Sequence, residues 1–157
     1  MEFQQMDLSK DGAAESASRR EKSIELWSFG FKYGAMQADA IIDVRFLPNP
    51  YYDDSLRFFT GKHPRCAAYV LQHESCRGFT RNLAGCILAM RESAEVRTRP
   101  VLRVAVGCTG GQHRSVAVIE ELARLLRAGD TRGGHVQVEV HHRDAAKWVL
   151  SDRPACG

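Results

Sequence analysis

The segment from Val101 to Ala128 constrains the fold more than any other part of this sequence. Residues 101–106 are rich in β-branched side chains, as in a central strand, and residues 107–113 form a glycine-containing loop. Residues 114–128 place apolar side chains at helical spacing, and we expect Gly129 to end this helix in a left-handed conformation. A buried strand that leads through a short loop into a helix is typical of α/β proteins.

The remaining segments extend this pattern along the chain. Residues 23–29 alternate apolar and polar, residues 40–45 are almost continuously apolar as expected when both sheet faces are covered, and residues 136–140 alternate again. Helical stretches are predicted at about 65–74 and 80–96. The sequence therefore predicts a single α/β domain with a mostly parallel open sheet flanked by helices. Aromatic side chains are expected mainly in its core: Trp27, Phe29, Phe31, Phe46, Phe58, Phe59 and Trp148.

Length and composition restrict the class of protein. A chain of 157 residues is one ordinary domain, and we divide it into a flexible leader (1–22), a folded domain (23–150) and a tail (151–157). No apolar run approaches the ~20 residues of a membrane span, and the polar leader is unlike a signal peptide. Five cysteines without a C-x-x-C pair indicate neither disulfides nor zinc. We expect a cytoplasmic protein with no membrane association, no metal and no cofactor.

The loop between the predicted central strand and helix has the features of an anion site. Free backbone N–H groups and the positive end of the helix face one point there. Gly110 and Gly111 permit close approach of a ligand, Arg114 offers a planar fork to phosphate oxygens, and neighbouring side chains add hydroxyl and thiol groups. We expect eight loop residues to bind the ligand: Cys108, Thr109, Gly110, Gly111, Gln112, His113, Arg114 and Ser115.

Other predicted strands end in polar clusters that belong at the same edge of the sheet, where ligands of open α/β sheets lie. Four more residues from these clusters are candidate ligand contacts: Lys32, Arg45, His142 and Arg143. Together with the loop they would form a cationic rim suited to a phosphorylated small molecule. Asp43, in one of these clusters, is expected either to face the site or to pair with a neighbouring arginine.

The loop permits a second interpretation, because Cys108-x5-Arg114-Ser115 has the spacing of a cysteine-dependent phosphatase loop. In that chemistry a thiolate attacks phosphorus while backbone amides and arginine hold the phosphate. Cys108 would be the nucleophile, and Asp43 or Asp144 would be the general acid. Catalysis remains an alternative to simple binding at this stage.

Four motifs in sequence order resemble the C-terminal domain of the RapZ RNase adapter family. They are Ser28-Phe29-Gly30-Phe31-Lys32-Tyr33-Gly34, Asp43-Val44-Arg45-Phe46-Leu47-Pro48-Asn49-Pro50, the segment from Gly107 to Val116, and His142-Arg143-Asp144. Family members usually carry an N-terminal P-loop domain, whereas no G-x-x-x-x-G-K-[ST] motif occurs here, so the chain resembles the second domain standing alone.

The resemblance implies a regulatory domain that senses an amino-sugar phosphate (glucosamine 6-phosphate), binds small regulatory RNA and self-associates into a homo-oligomer. It assigns the phosphate to Thr109, Gly110, Gly111, His113 and Arg114, with His142 and Arg143 nearby. The RNA role depends in the family on a basic C-terminal tail, which this chain lacks. With 22 basic and 19 acidic residues, the net charge is only +3, so we expect weak RNA binding at most, through Arg97, Arg99, Arg103, Arg19, Arg20 and Lys22.

Overall fold

The computed structural model of the chain describes residues 23–129 and 137–150. The predicted leader and tail lie outside these residues. Four strands form the sheet of the described region, β1 (Ser23–Gly30), β2 (Ala40–Asp43), β3 (Val101–Cys108) and β4 (Gln137–His142), in the order β2-β3-β1-β4. All three strand pairs are parallel, which confirms the predicted parallel α/β architecture.

The helices are α1 (Pro64–Val70), α2 (Glu74–Glu92), the short α3 (Ala94–Arg97) and α4 (Arg114–Ala128). The bounds of α4 agree with the sequence prediction. The first two helices differ from it because the backbone of His73 is extended and caps α2 six residues earlier than predicted, while Gly78 is accommodated inside that helix. Gly129 ends α4 with a φ of −70°, so the predicted left-handed cap is wrong.

The core lies between the sheet and one layer of helices. Ile24 and Leu26 of β1 and Val104 of β3 are fully buried, and they share one cluster with Ile119 and Leu122 of α4. Ile87 of α2 and Val70 of α1 join the same cluster. Because α4 contacts β1, β3 and β4, this single helix fixes the position of the sheet relative to the loop that precedes it.

The opposite face of the sheet carries polar and partly exposed side chains beside the buried Phe29, contrary to the expectation that both faces would be covered. Trp27 of β1 stacks on His141 of β4 with ring centroids 4.3 Å apart, and Arg103 of β3 pairs with Glu25 of β1. Ile41 in the edge strand β2 keeps 46% of its surface exposed. The apolar run of residues 40–45 therefore did not indicate a strand covered on both faces. The strand β2 has only four residues and lies at the edge of the sheet, beside a single neighbour.

The carboxyl ends of the strands meet at one edge, as predicted. Gly30 of β1 is paired with Cys108 of β3, and Asp43 of β2 is paired with Gly107. The prediction of aromatic burial holds for Phe29, which is fully buried, but it is wrong for Phe46 and Phe58, which are 66% and 44% exposed. Both exposed rings lie in connecting segments on this side of the fold. Phe46 packs edge-on against Phe79 of α2, with ring centroids 5.1 Å apart, and the rest of its surface stays exposed.

Candidate functional site

A cavity of about 580 Å³ opens at the carboxyl edge of the sheet. The loop that joins β3 to α4 forms its floor. The segments after β1, after β2 and after β4 form its walls. Its lining residues are Lys32, Tyr33, Asn49, Tyr51, Tyr52, Arg57, Phe58, Cys108, Thr109, Gly110, Gln112, His113, Arg114, Lys147 and Val149. The cavity therefore contains six of the eight loop residues singled out from the sequence, together with Lys32.

Two glycines allow the loop to pass over the end of β1. Gly111 has a φ of +69°, a left-handed conformation that side chains disfavour. A Cβ atom on Gly30 would come within 2.6 Å of the carbonyl carbon of Gly110. The main chains of β1 and the loop are therefore in direct contact, and the amide of Lys32 donates to the carbonyl of Thr109 across this junction.

Cys108 is almost fully buried at the start of the loop. Its Sγ accepts the backbone N–H of Gly111 at 3.2 Å and lies 3.2 Å from the hydroxyl of Ser115. The thiol thus links the end of β3 to the first turn of α4 through hydrogen bonds. This arrangement explains why a cysteine and a serine occur seven residues apart at this junction.

Arg114 begins α4 and is held in a defined orientation. Its guanidinium donates from Nη1 to the carbonyl oxygen of Arg45 at 2.7 Å and from Nη2 toward Thr109 Oγ1 at 3.4 Å. The residue is only 6% exposed, and no carboxylate among residues 23–129 and 137–150 forms an ion pair with it. A buried guanidinium without a carboxylate partner is uncommon, because removing a charge from water is costly.

Two lysines approach the same tyrosine at the rim of the cavity. Lys32 Nζ lies 4.8 Å and Lys147 Nζ 4.1 Å from the centre of the Tyr33 ring. Lys147 also pairs with Asp144 at 3.3 Å. A side chain on Gly110 would meet the end of Lys32 at 3.7 Å, so this ammonium lies directly beside the loop.

His113 connects the loop to the segment that follows β2. Its Nε2 donates to the carbonyl oxygen of Arg57 at 2.9 Å. Burial lowers the pKa of the His113 imidazole, the Arg57 carbonyl opposes this shift, and the nearby charge of Arg114 adds to it, so the net pKa is below the ordinary value of 6.5. The ring is therefore neutral at pH 7 and serves as a hydrogen-bond donor.

Several predicted site residues lie outside the cavity lining. Arg45 is exposed and pairs with Asp43 through its guanidinium, and this hydrogen bond is the largest cause of the lowered pKa of Asp43. His142 lies between Ser28 Oγ at 2.6 Å and Glu120 Oε1 at 3.0 Å. Both pairs organise the strand ends, and their contact with a ligand remains a prediction.

Arg143 and Asp144 join the ends of β1 and β4. Arg143 donates to the carbonyl oxygens of Gly30, Gly34 and Ala35, and the buried Asp144 accepts the N–H of Gly30 at 2.8 Å. Burial raises the pKa of Asp144, but hydrogen bonds from Arg143 and Gly30 outweigh this effect and hold the pKa below its usual range. Arg143 thus binds the backbone at the end of β1 and just after it, and its predicted contact with a ligand remains a prediction.

Sequence patterns did not identify most of the cavity's walls. Eight lining residues were not among the predicted ligand contacts: Tyr33, Asn49, Tyr51, Tyr52, Arg57, Phe58, Lys147 and Val149. All eight lie in single 3-10 turns or irregular segments, which are too short for hydrophobic periodicity to be informative. One signal was available for part of this set: residues 51–58 form a connecting segment that is rich in aromatic and charged side chains.

The lining is strongly cationic. Lys32, Arg57, Arg114 and Lys147 contribute positive charge, and none of the lining residues is an aspartate or glutamate. The part of the chain that the structure describes also contains no group of three or more His, Cys, Asp or Glu side chains that could hold a metal ion. It contains no helix long and apolar enough to cross a membrane. The chemistry of this cavity favours an anion.

These observations define a single-domain parallel α/β protein with a cationic cleft at the carboxyl edge of its sheet. The chain belongs to the family of RapZ C-terminal domains, whose model matches residues 22–146. This match confirms the family suggested by the four sequence motifs. It covers all four strands and the helices between them.

Full-length relatives extend this comparison. The chain is 50% identical over 134 residues to a protein of Rubrobacter xylanophilus, covering 83% of this chain and 43% of the relative. It is 42% identical over 125 residues to a protein of Limosilactobacillus fermentum, covering 79% and 42%, and 40% identical over 133 residues to one of Caldicellulosiruptor bescii, covering 84% and 44%. All three are named nucleotide-binding proteins. The chain spans less than half the length of these relatives.

Proposed function

We propose that this chain is a regulatory, metabolite-sensing or adaptor domain that binds a small phosphorylated ligand in the cationic cleft. An amino-sugar phosphate such as glucosamine 6-phosphate is the proposed ligand, as the family resemblance implies. The phosphate would contact the loop from Thr109 to Arg114, with Lys32 beside it. The hydroxyl groups and aromatic faces of the walls would contact the body of the sugar.

The buried, carboxylate-free guanidinium of Arg114 carries this proposal. It lies at the amino end of α4, where the first N–H groups of a helix have no partner within the helix. A phosphate bound there would accept from these groups and would neutralise Arg114, which the surrounding protein orients through carbonyl and hydroxyl oxygens alone. A dianionic phosphate therefore matches both the charge and the donor geometry of the floor.

Calorimetric titration with glucosamine 6-phosphate, glucose 6-phosphate and inorganic phosphate tests this function. We expect saturable binding by the wild type and a loss of about 1.5–3 kcal/mol of binding free energy in Arg114→Ala, the value of a hydrogen bond to a charged group. Arg124→Ala is the matched control, because Arg124 is exposed on α4 and pairs with Glu121. If no phosphate compound binds to the wild type, the proposal is wrong.

Phosphoester hydrolysis is a second candidate, favoured by the surroundings of the Cys108 thiol. Cys108 is one of the residues that line the cleft, and its Sγ accepts an N–H from Gly111 beside the hydroxyl of Ser115, which is the position of the nucleophile in a cysteine-dependent phosphatase loop. A general acid is harder to assign, because Asp43 is paired with Arg45 and Asp144 is buried among its own partners. We therefore rank hydrolysis below binding.

The proposal has four further parts. The cytoplasm is its proposed location, which fits the free thiols of Cys66, Cys76, Cys86 and Cys108. Weak RNA binding and self-association into a homo-oligomer are proposed from the family resemblance. The nucleotide-binding names of the longer relatives also admit a nucleotide as the phosphorylated ligand, so AMP and GMP belong in the titration series.

A further inference from the structure

The carboxamide of Gln112 is fully engaged by backbone groups from two separate walls of the cleft. Its Nε2 donates to the carbonyl oxygens of Phe59 at 3.1 Å and Val149 at 2.9 Å. Its Oε1 accepts the N–H of Val149 at 2.9 Å. Only a side chain that is both a donor and an acceptor can bind the carbonyl oxygen and the N–H of the same residue, as Gln112 does with Val149.

Neighbouring loop residues bind the same two walls. The indole N–H of Trp148 donates to the carbonyl oxygen of Gly111 at 2.8 Å, and the amide of Gly61 donates to the carbonyl oxygen of Gln112 at 2.8 Å. The first wall, residues 57–61, supplies Arg57 and Phe58 to the cleft. The second wall, residues 147–150, supplies Lys147 and Val149.

Resting on the function proposed above, we infer that Gln112 is a positioning residue that clamps the 147–150 wall to the anion-binding loop. Because the clamp and the proposed phosphate share the loop backbone, each stabilises the loop conformation that the other requires. Linkage is reciprocal: docking of residues 147–150 raises ligand affinity, and the ligand tightens their docking. Changes at this carboxyl-terminal segment would therefore regulate the site without touching the ligand.

The experiment uses Trp148 as a reporter of the clamp. The chain has two tryptophans, and Trp27→Phe removes the one on the polar sheet face. In this background we measure acrylamide quenching of Trp148 and calorimetric affinity for glucosamine 6-phosphate. Gln112→Met keeps the length of the side chain and removes its donors and acceptor, while Gln72→Met, at an exposed position between α1 and α2, is the matched control.

We expect ligand to reduce quenching of Trp148 in the reference protein. Gln112→Met should increase quenching without ligand and weaken binding by about tenfold, the effect of losing one or two net hydrogen bonds. Gln72→Met should change neither. Trp148→Phe is the second variant, measured by calorimetry alone in an otherwise wild-type chain. It keeps Gln112 and removes only the indole donor, so we expect a smaller loss of affinity. This variant tests the inference if Gln112→Met fails to fold.

Two results overturn the inference in distinguishable ways. Absence of binding by the reference protein, with any phosphate compound, overturns the proposed function and the linkage together. Normal binding by the reference protein with unchanged affinity in Gln112→Met and Trp148→Phe overturns the linkage alone. In this second case, a lower melting temperature of the variants would show that the clamp is merely structural.

Discussion

The residues of the β3–α4 loop satisfy most of their polar groups within the protein, and the guanidinium of Arg114 forms no close ion pair among the described residues, although its charge contributes to the lowered pKa of Asp43. Cys108 is occupied by Gly111 and Ser115, and His113 is occupied by Arg57. Arg114 is oriented by neutral oxygens only. The same short segment thus contains residues that build the loop and the residue to which we assign the proposed anion.

Replacing the Cys108 thiol should separate these roles. A serine hydroxyl can still accept the N–H of Gly111 and approach Ser115, so we expect Cys108→Ser to bind glucosamine 6-phosphate within about threefold of the wild type. The wild type should not hydrolyse para-nitrophenyl phosphate. Turnover that disappears in Cys108→Ser would reverse the ranking and establish the phosphatase.

Titration of His113 should make the protein less stable in mild acid. The folded-state pKa of His113 lies below its ordinary value of 6.5 because of burial, so the unfolded chain takes up the proton first as the pH falls. The free energy of unfolding should decrease below about pH 6.5 and level off below the folded pKa. Urea denaturation between pH 8 and 5 measures this slope, which His113→Gln should reduce; an equal slope in both proteins would contradict the assignment.

Among the elements, the end of β4 is as important to the site as the loop itself. Asp144 accepts the N–H of Gly30, and Gly30 lies against Gly110. Arg143 binds the carbonyl oxygens of the β1 corner. The final strand therefore positions the cleft through the backbone of the first strand, although the two are separated by more than a hundred residues of sequence.

Removing the charge of Asp144 should weaken this junction. Asp144→Asn leaves Arg143 and Lys147 without their buried carboxylate, and we expect a loss of about 3 kcal/mol in the free energy of unfolding. Asp43→Asn removes an exposed pair and should cost below about 1 kcal/mol. Since the folded pKa of Asp144 is lowered from 3.8, its stabilising effect should be present above that pH and disappear in stronger acid. Equal losses in the two variants by urea denaturation would refute this role.

For the molecule as a whole, cations are less available than the net charge suggests. Of the arginines predicted to contact RNA, Arg99 pairs with Asp39 and Arg103 pairs with Glu25. Arg97 lies in α3 at the other end of the molecule from the cleft, and the remaining three cations lie outside the described residues. Of the three predicted RNA-contacting arginines that the structure describes, two are therefore engaged in ion pairs.

RNA binding should therefore be weak and sensitive to salt. We expect affinity for a single-stranded RNA to fall with a slope of about −0.7 per contacted phosphate in a plot of log K against log salt. Deleting residues 2–22 should weaken any binding, since it removes Arg19, Arg20 and Lys22. Gel shifts in rising salt test this expectation: nanomolar affinity at physiological salt would contradict it, and an unchanged constant after the deletion would exclude the leader from the interface.

Local sequence was sufficient for the fold class and for the floor of the site. The β-branched run of β3, the glycines of the loop and the helical spacing of α4 are signals within a single segment, and each depends on backbone conformation or on burial of one face. The alignment of strand ends followed from the geometry of parallel sheets. These features required no knowledge of distant contacts.

The walls of the cleft and the role of individual polar residues depended on the tertiary structure. Nothing in the sequence indicates that Gln112 meets Val149, or that Arg143 turns toward Gly30 while Lys147 turns toward Tyr33. Such contacts depend on how irregular segments cross the carboxyl edge of the sheet. Each of these polar side chains could form hydrogen bonds or ion pairs with several different partners. Their chemistry is readable from the sequence, but their partners are decided only by packing.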